Sequence, residues 1–139
     1  MPRPGLLAPV LTIKRLVMRG HTLADRAGSA AMWADPAVVR HITGKPSTPE
    51  ESWSRLPQYG GLWILLGFGY WLVDGRGSGA FVGEVGFGDF RRDLEPSFDN
   101  APEAGWVLAA GAQRRGYAEY ARTVYKGEPV LLLERAVAT

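Results

Sequence analysis

Three apolar stretches, separated by a glycine-rich turn and a polar loop, limit the folds open to this chain. Phe68 to Asp74 (FGYWLVD) is aromatic and β-branched and runs into Gly75-Arg76-Gly77-Ser78-Gly79. Ala80 to Phe90 follows, with Phe81, Val85 and Phe87 set against Glu84 and Asp89. Two such runs joined by a short glycine turn read as an antiparallel hairpin. Arg91 to Pro102 is polar, contains two prolines and reads as a loop; Glu103 to Ala109 (EAGWVLA) reads as a third strand. Glycine supplies 18 of the 139 residues, well above its usual share of roughly 7%.

The segment before these strands reads mainly as helix. Leu11 to Met18 alternates and predicts a short strand. Thr22 offers an N-cap with Asp25 three residues on, and Leu23, Ala27, Ala30, Ala31 and Met32 recur at helical spacing as far as Trp33. Asp35-Pro36 breaks that helix, and Val38, Val39 and Ile42 suggest one more turn before Gly44. Thr48-Pro49-Glu50-Glu51 combines a Thr cap, Pro at the first helical position and Glu at the third, with acid at the positive end of the dipole. The helix it starts carries Trp53 and Leu56, then meets Pro57 and Gly60-Gly61, which predict its end or a kink.

Composition narrows the function classes. The chain has the length of one domain, and no apolar stretch approaches the ~18 residues of a membrane span. There is no cysteine, and two histidines alone, His21 and His41, do not make a His-rich metal site, so no metal is expected. Sixteen basic against 14 acidic residues gives +2. The adjacent arginine pairs are Arg91-Arg92 and Arg114-Arg115, not a stripe, so nucleic acid is not an expected partner. Pro2, Pro4 and Pro9 interrupt the apolar piece near the start, which argues against a signal peptide and makes the cytoplasm the expected location.

The third strand leads directly into Ala110-Gly111-Ala112-Gln113-Arg114-Arg115-Gly116-Tyr117-Ala118. Small residues in such a turn let backbone amides approach a phosphate, and Arg114 and Arg115 place positive charge beside it. Read alone, the same residues also make an ordinary glycine-containing turn.

Taken in order, the chain resembles the GNAT superfamily of acyl-CoA-dependent N-acyltransferases, in the branch of the ribosomal-protein N-acetyltransferases. The residues that carry the resemblance are Arg15-Leu16-Val17-Met18-Arg19, Met32-Trp33-Ala34-Asp35-Pro36, Glu51-Ser52-Trp53, Gly69-Tyr70-Trp71 and Val82-Gly83-Glu84-Val85-Gly86-Phe87. Glu103, Gly105-Trp106-Val107-Leu108 and Gln113-Arg114-Arg115-Gly116-Tyr117-Ala118 complete the series, which covers about residues 12 to 118. The resemblance implies acetyl-CoA as co-substrate and an amine-bearing acceptor. Trp106, Val107 and Leu108 would then hold the pantetheine arm. Gln113, Arg114, Arg115, Gly116, Tyr117 and Ala118 would form the pyrophosphate loop. Trp33, Arg40 and His41 would border the acceptor. An amine must be neutral to attack a thioester, so a general base is useful. Glu103 is the first candidate and Glu84 the second; the alternatives are a solvated strand-end acid and a hydrogen-bonded structural one.

After Ala118 the sequence leaves the family pattern. The resemblance implies a helix, a strand and a second helix at this point, roughly 40 residues. Instead Glu119 to Tyr125 begins at once, Lys126 to Pro129 forms a turn, and Val130 to Glu134 (VLLLE) reads as a last strand. The expectation is a single α+β domain over 1–139, with a mixed, mostly antiparallel GNAT-like sheet flanked by helices. It comprises an N-terminal part, 12–118, and a closing hairpin, 119–135, joined across an internal deletion. Such a chain is either a working N-acetyltransferase or a non-catalytic remnant that binds CoA or a protein. A homodimer that exchanges strands is one way to complete it.

Overall fold

The computed structural model describes residues 7–89, 103–114, 117–125 and 128–135. Its main element is a five-stranded sheet in the order β1-β2-β3-β4-β5, with every neighbouring pair antiparallel. The strands are β1 (Leu11–Ile13), β2 (Leu16–Arg19), β3 (Tyr70–Gly75), β4 (Phe81–Gly88) and β5 (Glu103–Leu108). Three helices connect β2 to β3: α1 (Arg26–Ala34), α2 (Pro36–Val39) and α3 (Pro49–Leu66). The short helix α4 (Ala110–Arg114) follows β5, and β6 (Tyr117–Tyr125) and β7 (Glu128–Arg135) pair antiparallel as a separate two-stranded sheet. The α+β architecture and the hairpin across residues 75–79 agree with the sequence reading. The expected loop at Arg91–Pro102 lies outside the described residues.

Three local expectations are corrected. Leu11 to Met18 is not one strand but a tight hairpin, with Leu11 opposite Met18 and Ile13 opposite Leu16 across Lys14-Arg15. Alternation continues through a two-residue turn, so it cannot mark the reversal. Second, Pro57 and Gly60-Gly61 do not end α3, which runs unbroken for 18 residues. Leu56, Tyr59, Leu62 and Trp63 are buried on one face both before and after the glycines, and this packing outweighs the lost backbone bond at Pro57. The true stop is Gly67, in the left-handed conformation at φ 79° that favours glycine. Third, Tyr117 and Ala118 are the first residues of β6, not part of a loop, and α4 occupies the segment just before them.

The cap signals are local, and they form as read. Thr48 Oγ1 accepts from Glu51 N–H at 3.2 Å, and Glu51 Oε1 accepts from Thr48 N–H at 2.9 Å. The hydrogen bond from Thr48 holds the Glu51 carboxyl below the usual range. Asp35 caps α2 by accepting from Ala37 N–H at 2.9 Å.

The sheet carries apolar residues on both faces. Register places Leu72, Glu84 and Val107 in one row across β3, β4 and β5. This row faces α1 and α2, where Met32, Trp33, Val38 and Val39 pack with Val107. The opposite face gathers Leu16, Val73, Val82 and Val85, with Trp71 and Trp106 half-buried beside them. Ala112 of α4 is fully buried against that second cluster.

Candidate active site

The buried polar centre of the molecule is the carboxyl group of Glu84, midway along β4. Ser29 and Trp33 stand four residues apart on α1, so both side chains point the same way, toward the sheet. Ser29 Oγ donates to Glu84 Oε2 at 3.0 Å and Trp33 Nε1 donates to Oε1 at 2.7 Å. From the segment after β2, His21 Nε2 lies 2.6 Å from the same Oε2. The side chains of His21 and Glu84 are 2% and 1% exposed. Burial of a carboxyl is tolerated when its lone pairs are matched by donors, and here both oxygens have them. His21 Nδ1 is buried and has no hydrogen-bond partner among the described residues.

Aromatic rings extend this centre toward the edge of the sheet. The His21 ring lies 5.4 Å from that of Tyr59 on α3, and Tyr59 stacks on Tyr70 of β3 at 4.3 Å and 8°. The Tyr70 hydroxyl ends over Gly105 on β5, where a Cβ would overlap it. From α3 the Arg55 guanidinium sits 3.7 Å above the centre of the Trp33 ring. At the end of β2, Arg19 binds two acids: Nε donates to Asp74 at 2.8 Å, and Nη1 and Nη2 donate to Asp25 at 2.9 and 2.8 Å. These bonds, led by the one to Asp25, raise the Arg19 pKa.

Strand β5 is the outer strand of the five-stranded sheet. Ala109 N–H donates to Val82 O at 2.9 Å, which fixes the phase of the ladder. Odd-numbered residues of β5 therefore turn their backbone groups to β4, and Ala104, Trp106 and Leu108 turn theirs outward. Gln113 Nε2 reaches back to the outward carbonyl of Leu108 at 3.0 Å.

The sequence candidates fall into five groups. Glu84 and Trp33 come together, bonded directly. Trp106, Val107 and Leu108 lie on the edge strand, with the Val107 side chain buried under α1 and α2, and the Trp106 and Leu108 side chains on the opposite face. Arg40 and His41 stand exposed after α2, apart from this cluster. Glu103 shares the Glu84 face, but it pairs with Gly88 and lies four residues along β5 from Val107, about 13 Å at strand spacing. Arg114 closes α4, while Arg115 and Gly116 are outside the described residues. The sequence reading missed His21, Ser29, Tyr59 and Tyr70. A histidine two residues beyond a strand end was the available signal for His21.

A meander sheet with helices inserted after the second strand, and an outer strand leading to a short helix, has known counterparts. The model of the acetyltransferase (GNAT) domain matches residues 15–124. The chain belongs to this family. Among solved structures it is similar to a protein of Bordetella pertussis assigned to the GnaT acetyltransferase family, at 27% identity and a TM-score of 0.63, covering 93% of this chain and 100% of that one. It is also similar in fold to an acetyltransferase of Agrobacterium tumefaciens (24% identity, TM-score 0.63, 80% of this chain and 60% of that one). A third fold neighbour is a ribosomal-protein-S5-alanine acetyltransferase of Vibrio fischeri (20% identity, TM-score 0.52, 78% of this chain and 60% of that one). The chain thus spans the whole of the first structure and about three fifths of the other two. Among the described residues no helix is long and apolar enough to cross a membrane.

Proposed function

We propose that this chain transfers an acetyl group from acetyl-CoA to a primary amine, of a protein N-terminus or a small molecule, in the cytoplasm. The observation that carries the reading is the juxtaposition at β4 and β5. An outer strand with outward backbone at Ala104, Trp106 and Leu108 lies directly beside the buried Glu84 centre. Outward amides and carbonyls on an edge strand suit the amide-bearing pantetheine arm, as main-chain pairing suits any extended ligand. Trp106 and Leu108 would hold that arm, with Gln113, Arg114, Arg115 and Gly116 toward the pyrophosphate; Val107, its backbone turned to β4 and its side chain buried under α1 and α2, would back the strand. Gln113 would have to release Leu108 O for the arm to use it. Acetyl-CoA supplies the activated acyl group; the chain supplies position, dryness and a place for the proton of the amine. Glu103 remains a candidate for that last task at the open end of β5.

A second reading has its own support. Only residues 109–116, eight in all, separate β5 from β6. A parallel crossover needs a dozen or more, so the helix-strand-helix segment implied by the resemblance has no room. A chain that lost this segment is a CoA- or protein-binding remnant, which a homodimer would complete. The match over the full length of the Bordetella pertussis chain sets a protein of similar extent beside it.

Thermal melting with acetyl-CoA tests the proposal. A ligand that binds the folded state raises Tm with concentration. A shift together with acetylation of an amine supports the transferase; a shift without turnover supports the remnant. No shift at millimolar acetyl-CoA overturns the transferase and the CoA-binding remnant, and leaves the protein-binding one. Gly116→Glu places a carboxylate against the phosphates and is expected to abolish the shift.

A further inference from the structure

Glu84 is poorly placed to take a proton from a substrate amine. Oε1 accepts from Trp33 Nε1, and Oε2 is shared by Ser29 Oγ and His21 Nε2. An indole N–H can only donate, so Glu84 meets Trp33 as an acceptor. The nitrogen left open in this network is His21 Nδ1, buried and without a partner among the described residues.

The hydrogen bond at Nε2 decides what Nδ1 carries. With Nε2–H donating to the Glu84 carboxylate, the neutral imidazole keeps its lone pair on Nδ1. The opposite tautomer would set a bare Nε2 against a carboxylate oxygen at 2.6 Å and leave an N–H on the unpartnered Nδ1. A carboxylate that fixes the tautomer of an imidazole, leaving its other nitrogen ready to accept, is the arrangement of a general base.

We propose that His21 Nδ1 is the proton acceptor for the substrate amine and that Glu84 is its positioning residue, an assignment that rests on the transferase reading above. The amine binds as its ammonium form and passes one proton to Nδ1 through a single water. The imidazolium so formed pairs with the Glu84 carboxylate. The freed nitrogen lone pair forms the C–N bond at the thioester carbonyl, and the C–S bond breaks with its electron pair leaving on the CoA thiolate. The second N–H proton goes to that thiolate or to water, and His21 returns its proton to water. Tyr59 lies against the His21 ring, and Tyr70 stacks on Tyr59 with its hydroxyl over Gly105 of β5, the strand beside which the thioester would lie.

The test uses two measurements on the full chain. Long-range nitrogen–proton NMR of the imidazoles, with His41→Gln to assign the two histidines, is expected to show His21 protonated at Nε2 and bare at Nδ1 at neutral pH. A proton on Nδ1 overturns the proposal. The second measurement follows thiol release from acetyl-CoA with a panel of short peptides bearing free N-termini and simple primary amines. His21→Gln retains an amide donor toward Glu84 but has no proton acceptor in place of Nδ1. It is expected to lower kcat by about 100-fold or more, with the KM for acetyl-CoA and the Tm near wild type. A Gln variant as active as wild type overturns the assignment, since a purely structural histidine is rescued by the kept hydrogen bond. Should the Gln variant not fold, the tautomer of the wild-type ring still decides. A wild type that releases no thiol with any amine overturns the transferase reading itself, a result distinct from an active but insensitive variant.

Discussion

The phenolic oxygen of Tyr70 occupies the space in which a side chain on Gly105 would begin. The ring of Tyr70 thus bridges from β3 past β4 to the outer strand. Gly105→Ala forces the ring or the strand to move, at a cost of about 1–3 kcal/mol. Urea unfolding measures it, and in a Tyr70→Phe background the penalty of the same substitution should shrink. An equal penalty in both backgrounds would place the clash elsewhere.

Trp33→Phe tests the donor side of the buried centre. The ring stays apolar, but Glu84 Oε1 loses its partner at 2.7 Å. An orphaned buried acceptor costs about 1–3 kcal/mol, so the urea midpoint should fall clearly. Ser29→Ala should cost less, because Oε2 keeps its contact with His21. A larger loss for Ser29→Ala than for Trp33→Phe would contradict this ranking.

Arg19 and its two acids make stability depend on acid. Burial alone would raise the Asp25 carboxyl, but the bonds from Arg19 and from Thr22 outweigh it and hold the pKa below the usual range. A carboxyl depressed by folding contributes fully above its unfolded pKa of about 3.9 and loses that contribution as pH falls through the folded value. The Tm gap between wild type and Arg19→Met should therefore be wide at pH 6 and close as pH drops below about 4. A gap that stays constant would remove Asp25 as its source.

Pro57 sits inside α3 and withholds a backbone donor. Interior proline costs a helix about 3 kcal/mol, and the helix forms in spite of it. Pro57→Ala should raise stability by about 1–3 kcal/mol, read as a higher Tm. No gain would show that α3 is shaped around the proline.

The parts of this fold that were legible in the sequence are those encoded locally. The Thr48–Glu51 cap and the strands at 70–75, 81–88 and 103–108 follow from neighbouring residues alone. Lys14-Arg15 makes a reversal without glycine or asparagine, so nothing in the pattern announced it. The continuation of α3 depends on burial beyond Gly61, which a local breaker rule does not weigh. The centre itself is built from contacts across 51 to 63 residues. An acid in an apolar strand pointed to Glu84, but His21 and Ser29 become its partners only once β2 and α1 are folded against the sheet. Arg40 and His41, placed at the acceptor by the resemblance, stand exposed after α2.

In the main sheet, strand order and chain order are the same. Each strand finds its neighbour by a reversal of the chain, or after the helical insert between β2 and β3. No later segment is threaded between earlier ones. Lineages of such proteins can therefore gain or shed material beyond β5 without shifting the register of any ladder before it. The outer edge of β5 is a seam at which evolution can cut, and the buried centre at Glu84 lies one strand inside it.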